Sequence, residues 1–592
     1  METTAFTAEI QKLPMNGEEW FKHYKDDILY RIEDKSRDRH YESLCEVTIS
    51  AFTTDAGQVE SSISVLNQRR FKGRKPVIPS SLSDTPCRVF GVAGLLAMLN
   101  TILNTSYTLH TACIYSLLVA FITKDSDFGT AYAYLRPFWY RHDFTDVEDK
   151  LRTREEWDLM MREDVFVNKR IISELVPPRR VWDLYSNRVV AWWAARGWPY
   201  AISHAWVEEK DRMDVLTPIN GYEWPVPIPK DTNLDLIRIE MLNAGAEYAW
   251  LDVLCLRQVG GRREDLRAEE WKVDVPTIGR VYTGFEPIVY YFNGLGRPLR
   301  IKAGDFESDR NWFKRVWTLQ EVACDRIIGG DTGDDNAMAE EVRAEFDKRL
   351  LALQEISRFR FDSPDVWTAL SHMRDRVCTY PVDRIAGLVY LLDGVDAIPA
   401  YYEMQSMEDA WTALVDVLGL WNRTTLFFTY PRPGNRNKVW RPSWSQVMNN
   451  VEVLPSNPDS LAAWVQWTED TDSDWVEAFS IESGYVQGLA EGSHDGKPRQ
   501  GELIVTDDAG TRHTFSITVD HQYQIPDGLY AFLGSRPYGL YDHQLVDQYW
   551  VVGRRLPERK FEKVSVFQIA GNEEVKRLDE LNIAMEVKTF LA

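Results

Sequence analysis

From Tyr200 to Gly330 the chain alternates short apolar runs with helix-favouring stretches, and this alternation limits its fold more than any other feature. Tyr200–Ser203, Ala249–Leu256, Ile288–Phe292 and Ile327–Gly330 each have the length and apolar character of a buried strand. Between the first two, Leu234, Ile237, Met241 and Leu242 share one helical face. Asp231-Thr232-Asn233 offers caps before that helix, and Gly245 stands where a helix end favours a left-handed residue. The charged residues 262–274 lead into a helical segment around Ile278 and Tyr282, with Pro276 in its first turn, and a further helix is expected over 311–324. The stretch containing Pro218, Pro225, Pro227 and Pro229 reads as a loop. Strands and helices in alternation call for a parallel sheet covered on both faces, an α/β fold.

A chain of 592 residues exceeds what one core serves. The expected divisions are a polar, partly ordered segment over 1–85, a helical region over 86–195, the α/β domain over 196–335, a second helical region over 336–430, a connection over 431–463 and a β-rich domain over 464–592. In the first helical region, Val89–Leu103 and Thr111–Thr123 read as a buried hairpin, followed by Trp139, Trp157 and Trp182 in charged, helix-favouring surroundings. In the last division, Glu502–Thr506 and Thr514–Val519 flank an Asp-Asp-Ala-Gly turn, a hairpin pattern. Further strands are expected at Gly528–Phe532, Tyr549–Val552 and Val564–Ile569. The basic run Arg69–Lys75 fits a localisation signal or a solvated loop, and the loop is preferred.

A net charge of −22 repels phosphate backbones and anionic lipid surfaces, so neither nucleic acid nor a membrane surface is an expected partner. The apolar hairpin segments are too short to span a bilayer, and no basic-then-apolar leader opens the chain. The cysteines at 45, 87, 113, 255, 324 and 378 form no CxxC pair and read as buried reduced thiols, which fits a cytoplasmic protein. No metal-ligand spacing and no phosphate loop appear, so no metal or resident cofactor is expected.

Three blocks hold the candidate residues. Ser203, His204 and Trp206 follow the first strand, where α/β sheets bind ligands, although Ser203 also suits a turn and Trp206 a core. A Ser-His-Asp triad is rejected because neighbouring strand residues point to opposite faces and no GxSxG elbow is present. Asp252 interrupts an apolar strand, so its charge is either tied to a neighbouring loop or functional. On the expected 311–324 helix, Trp312, Val316, Leu319 and Ala323 face the core while Glu321 lies opposite, one turn after Trp317, as a site carboxylate or a solvated one.

These blocks resemble the HET (heterokaryon incompatibility) domain of filamentous fungi. The resemblance rests on Ser203-His204-Ala205-Trp206, on Trp250, Asp252, Cys255 and Gln258, and on Arg315, Trp317, Thr318, Gln320 and Glu321, in that order. Downstream, Arg376–Gly387 and Arg441-Pro-Ser-Trp444 are similar to segments that follow such domains, whereas Val207 stands where many members have Gly. The resemblance implies a TIR/flavodoxin-like sheet domain acting as a signalling effector in fungal non-self recognition and programmed cell death, with protein partners and self-assembly. Trp317-Thr-Leu-Gln-Glu321 is also similar to the Trp-Cys-x-x-Glu of TIR domains, whose Glu serves NAD⁺ cleavage in the enzymatic members. It thereby implies NAD⁺ as substrate, Glu321 as the catalytic carboxylate, and Ser203, His204, Trp206, Asp252, Gln258, Arg315 and Trp317 as substrate-binding residues. A catalytically inactive scaffold is the alternative.

Overall fold

The structure, a computed structural model, describes residues 40–51, 60–195, 197–283, 286–322, 326–334, 338–354, 364–392, 397–449, 453–454, 461, 463–468, 473–492, 497–538 and 544–592. The chain divides into two compact units. The first is Met1–Phe359 with Arg376–Thr379 and Ala400–Tyr402; the second is Arg360–Asp375, Tyr380–Pro399 and Glu403–Ala592.

The first unit opens on an antiparallel pair, β1 (Val47–Ser50) and β2 (Arg70–Gly73). The basic run expected as a loop is therefore a strand: Phe71 is buried while Arg70 turns outward to pair with Glu60. Next come α1 (Cys87–Leu103) and α2 (Ile114–Thr123), the expected hairpin, with α1 ended by Asn104 at φ 51°. Leu95, Leu99, Leu103, Ile114 and Leu118 form its core together with Phe128 and Tyr132 of α3 (Phe128–Leu135). Each such side chain taken fully out of water contributes about 1.5–3 kcal/mol. The hairpin is buried on one face only, since Val89 and Tyr115 are exposed. The helix α4 (Val147–Asp164) carries Trp157. Trp182, expected in a helix, lies instead on β3 (Arg180–Asp183), which pairs with β4 (Arg188–Ala191).

These two strands join a six-stranded mixed sheet built further from β5 (Tyr200–His204), β8 (Tyr248–Trp250), β9 (Ile288–Tyr291) and β10 (Arg326–Ile328). The expected sheet is corrected in that respect, being parallel over four strands and antiparallel at the β3–β4 edge. Its order is β10-β9-β5-β8-β3-β4. Numbered along the chain, the four parallel strands lie second, first, third, fourth across the sheet. All residues of β8 and β9 are buried, as a sheet covered on both faces requires. The proline-rich stretch is not simply a loop: β6 (Arg212–Val215) and β7 (Val226–Pro229) pair across it. Arg136, fully buried just after α3, bonds Asp183 of β3 at 2.9 Å and also Glu247, which fastens the helical part to the sheet.

The helix α5 (Leu234–Asn243) forms as expected, with the Asn233 side chain accepting from Asp235 N at 2.7 Å and Gly245 at φ 95° beyond its end. All four residues of its predicted apolar face are buried. The second strand, by contrast, stops at Trp250: Leu251 caps a short helical turn, α6 (Asp252–Cys255). The charged residues before Ile278 form α7 (Asp265–Asp274), and Tyr282 ends α8 (Gly279–Tyr282), so Pro276 lies between helices rather than in a first turn.

The second unit begins with helices, among them Val366–Arg374, Met407–Val417 and Leu420–Thr429, and continues into an eight-stranded sheet. That sheet is antiparallel except for one short parallel pairing of its last strand, Met585–Leu591. The hairpin predicted around Asp508 is present as Arg499–Thr506 and Arg512–Val519, with Gly510 at φ 83° in the turn. The long strand Ser473–Gln487 and the helix Asn572–Glu580 were not anticipated. Among the described residues no helix is long and apolar enough to cross a membrane. Of the five described cysteines, Cys87 and Cys255 are buried while Cys45 and Cys113 are exposed; Cys324 lies outside the described residues.

Candidate functional site

The three sequence blocks meet at the C-terminal ends of β5 and β8. Ser203, one residue from the end of β5, is buried and donates to Glu321 Oε2 at 2.5 Å while accepting from Trp312 Nε1 at 2.8 Å. The indole thus fixes the hydroxyl, leaving its proton directed at the carboxylate. Next to it, the His204 Nε2 bonds Asp252 Oδ1 at 2.9 Å, and the same carboxylate oxygen accepts from Val253 N at 2.7 Å. Two polar pairs, Ser203–Glu321 and His204–Asp252, therefore flank one strand end rather than form a triad.

Glu321 reaches this position by a route the expected helix does not allow. Residues 311–322 make two single 3-10 turns, Trp312–Lys314 and Trp317–Leu319, and Glu321 follows the second. The break has a local cause. The Thr318 hydroxyl lies within hydrogen-bond distance of the carbonyls of Trp312 and Arg315, at 2.7 and 2.8 Å, and the backbone of Arg315 bridges that of Val377. Glu321 is consequently buried instead of opposed to the core, at 7% exposure. Trp312, Val316 and Leu319 are buried as expected, and Ala323 lies outside the described residues. Trp317 is half-buried and, with no α-helix there, is not one helical turn from Glu321.

Burial sets the electrostatics. Desolvation, with the Asp252 charge adding to it, pushes the Glu321 carboxyl up to about 7; the Ser203 bond and the charges of His204 and Arg315 pull the other way. For His204, burial disfavours the charged ring, but the charge and hydrogen bond of Asp252, helped by Glu321, outweigh it and leave its pKa raised. Asp252 itself does not interrupt a strand: it opens α6, where a carboxylate suits the helix N-terminus.

The remaining predicted residues divide. Trp206 stacks on His204, ring centroids 5.7 Å apart, and the Arg212 guanidinium lies 5.6 Å from its ring centre. Gln258 bonds back to the carbonyls of Leu256 and Asp252, so its amide holds the turn rather than facing a ligand. Arg315 lines a cleft of about 680 Å³ whose other walls come from the loop after β5 (Glu208 to Lys210), the turn at Ser308 to Arg310, and Val377 to Thr379. Glu321 is not part of that lining. Among the described residues no group of three or more His, Cys, Asp or Glu side chains is placed to hold a metal ion.

Three contributors were not singled out from the sequence. Trp312 had been assigned to the core, and its ring nitrogen gives no sign in sequence of finding Ser203. Tyr290 of β9 donates its hydroxyl to the Glu321 carbonyl at 2.7 Å, from a position that reads only as strand. Arg376, buried, donates to Thr318 Oγ1 at 2.9 Å and to the Arg315 carbonyl at 2.5 Å. Its segment was noted for its resemblance, but nothing in its spacing ties it to the third block. No family model, no curated protein and no solved structure matches the chain.

Proposed function

We propose that the first unit is a HET-type, TIR-like signalling effector of the fungal non-self recognition kind, and that its Ser203–Glu321 and His204–Asp252 cluster cleaves the N-glycosidic bond of NAD⁺. The observation that carries this reading is the order of the four parallel strands, second-first-third-fourth, which agrees with the first four positions of the flavodoxin-like order. In such sheets ligands bind beyond the carboxyl ends of the strands where the order reverses, between the first and third, here β5 and β9. Ser203 and His204 close the first of these, and Glu321 comes after the third in the chain.

The chemistry follows from the leaving group. Nicotinamide departs with the bonding electron pair as a neutral base, and a cation develops on the ribose. Water then adds to the anomeric carbon and releases a proton. An ionised Glu321 beside the ribose stabilises the cation, as a carboxylate does in glycoside hydrolysis. With a pKa of about 7 the same group is suited to take up the proton that water loses. Trp206 offers a face for ring stacking.

The test is nicotinamide release from NAD⁺ by the full chain, dilute and assembled, for wild type and Glu321→Gln. The amide keeps the shape and removes the charge, and the rate is expected to fall by about 10²-fold or more. No release from the wild type in either state would sink the catalytic reading.

A scaffold reading draws on one specific observation: Glu321 is 7% exposed, and the cleft wall reaches Arg315 without reaching Glu321. Under that reading the cluster serves only the fold, and the unit signals by binding protein partners or copies of itself. Wild-type release abolished by Glu321→Gln, with the melting temperature retained, rejects it.

A further inference from the structure

We propose that Gln320 is a ligand-binding residue beside Glu321 and pairs, through its side-chain amide, with the carboxamide of a nicotinamide ring. The side chain is buried, at 6% exposure, and neither its Nε2 nor its Oε1 has a hydrogen-bond partner. Among the described residues no other side chain leaves two buried polar atoms in that state. The polar residues around it in the third block differ. The Thr318 hydroxyl is engaged by the carbonyls of Trp312 and Arg315, and the Glu321 carboxylate by Ser203. An amide shut away from water without a partner is costly, and a Met of nearly the same shape avoids that cost. The fold therefore gains nothing from the amide group, whereas a ligand that offers a donor and an acceptor side by side meets both of its atoms.

The backbone that carries the amide is fixed. Gln320 closes the 3-10 turn Trp317–Leu319, its N–H bonding the Trp317 carbonyl at 3.2 Å, and Arg376 braces that turn through Thr318 and the Arg315 carbonyl. Adjacent Cα atoms are about 3.8 Å apart, so the amide and the Glu321 carboxylate spring from one short piece of chain. In nicotinamide the carboxamide sits two ring positions from the nitrogen whose bond to ribose breaks. A carboxylate at the ribose and an amide at the ring substituent call for side chains rooted this close together. A primary carboxamide is also the complement of a glutamine amide: each donates one N–H to the oxygen of the other. Nicotinic acid has a carboxylate there, which offers Oε1 no donor and sets an anion against it, so the pairing discriminates between the two rings. At this depth water does not compete for the bonds. The choice of nicotinamide rests on the reading of the previous subsection; that the amide serves a ligand rather than the fold rests on its two unpartnered atoms alone.

The experiment takes the full chain, as wild type and as Gln320→Met, through thermal melting without ligand and calorimetric titration with nicotinamide, nicotinic acid and adenosine. Without ligand the variant is expected to melt at or above the wild-type temperature. Nicotinamide is expected to bind the wild type at least about tenfold more tightly than nicotinic acid does, and to bind the variant about tenfold or more weakly. A variant that melts well below the wild type, or fails to fold, shows that the amide serves the fold and overturns the proposal. So does a wild type that does not bind nicotinamide or binds nicotinic acid equally well, and so does a variant whose nicotinamide affinity is unchanged. Adenosine, whose ring edge also sets a donor beside an acceptor, overturns it if adenosine is the ligand that the variant loses. Nicotinamide release from NAD⁺ is scored separately. Binding that depends on Gln320 without any release supports this inference and removes the catalytic reading; release by a wild type whose nicotinamide affinity equals that of the variant does the reverse.

Discussion

Glu321 concentrates the physics of the first unit in one side chain. Its carboxyl is removed from water and titrates at about 7 instead of its usual 4.5. A folded-state pKa above the unfolded one means that the native state binds the proton more tightly. Stability from this group is therefore complete below about pH 4.5 and is lost as pH rises through 7. The expected outcome is a melting temperature that declines between pH 5 and 7.5 in the wild type and declines less in Glu321→Gln. At pH 8 the variant should gain on the order of 2 kcal/mol relative to its own difference at pH 5. Melting followed by tryptophan fluorescence at both pH values checks this, and parallel wild-type and variant curves would refute the buried-carboxylate account. The same titration shapes the chemistry: release that needs an ionised Glu321 should rise with pH through about 7, a limb read directly from the pH–rate profile.

At the scale of elements, the legible parts are those whose cause is local. The α5 helix carries its own cap in Asn233 and its own stop in Gly245, and the Arg499–Val519 hairpin carries its turn, so both could be placed from neighbouring residues. Residues 311–322 are the opposite case. Their apolar spacing suits a helix, but the Thr318 hydroxyl and the remote backbone of Val377 take up the carbonyls and amides that a helix would use. Asp252 likewise read as a charge inside a strand, because the stop at Trp250 depends on the turn that Leu251 caps and on a histidine 48 positions earlier. The burial of Glu321 thus rests on partners about sixty residues downstream, and a window of local periodicity holds no trace of them. Arg376 is the keystone of that turn, and Arg376→Met tests it. Losing two charged hydrogen bonds, each worth about 1.5–3 kcal/mol, should speed amide exchange at Val316 and Val377 by about tenfold or more. Exchange in β5 and β9 should stay slow. Unaltered protection of Val316, which donates to Val377 O at 3.1 Å, would show that the turn holds without the guanidinium.

At the scale of the whole molecule, the question is how much chain the candidate site needs. The three blocks lie between Tyr200 and Glu321, and a domain over 196–335 is what their spacing invites. Two of the six sheet strands, however, come from Arg180–Ala191, and β8 pairs with the first of them through Tyr248 and Ala249. Without those strands, β8 becomes an edge with unpaired amides, an arrangement that promotes aggregation. The cut also strips Glu247 of Arg136, and Thr318 and the Arg315 carbonyl of Arg376. Breaking one buried charge pair costs about 3–5 kcal/mol, a large share of the 5–15 kcal/mol that holds a typical domain. A fragment over 196–335 is therefore expected to be poorly folded, with collapsed amide dispersion in a proton–nitrogen correlation spectrum. Adding residues 40–195 restores the sheet edge and the Arg136 cluster but not Arg376, because the Arg376–Thr379 segment returns to the first unit only after the chain has entered the second. The second fragment should consequently fold while its third block stays loose, with fast exchange at Val316. A well-dispersed spectrum from the 196–335 fragment would instead place the stability of the site in the three blocks themselves, and the flanking elements would then have to be assigned some other task.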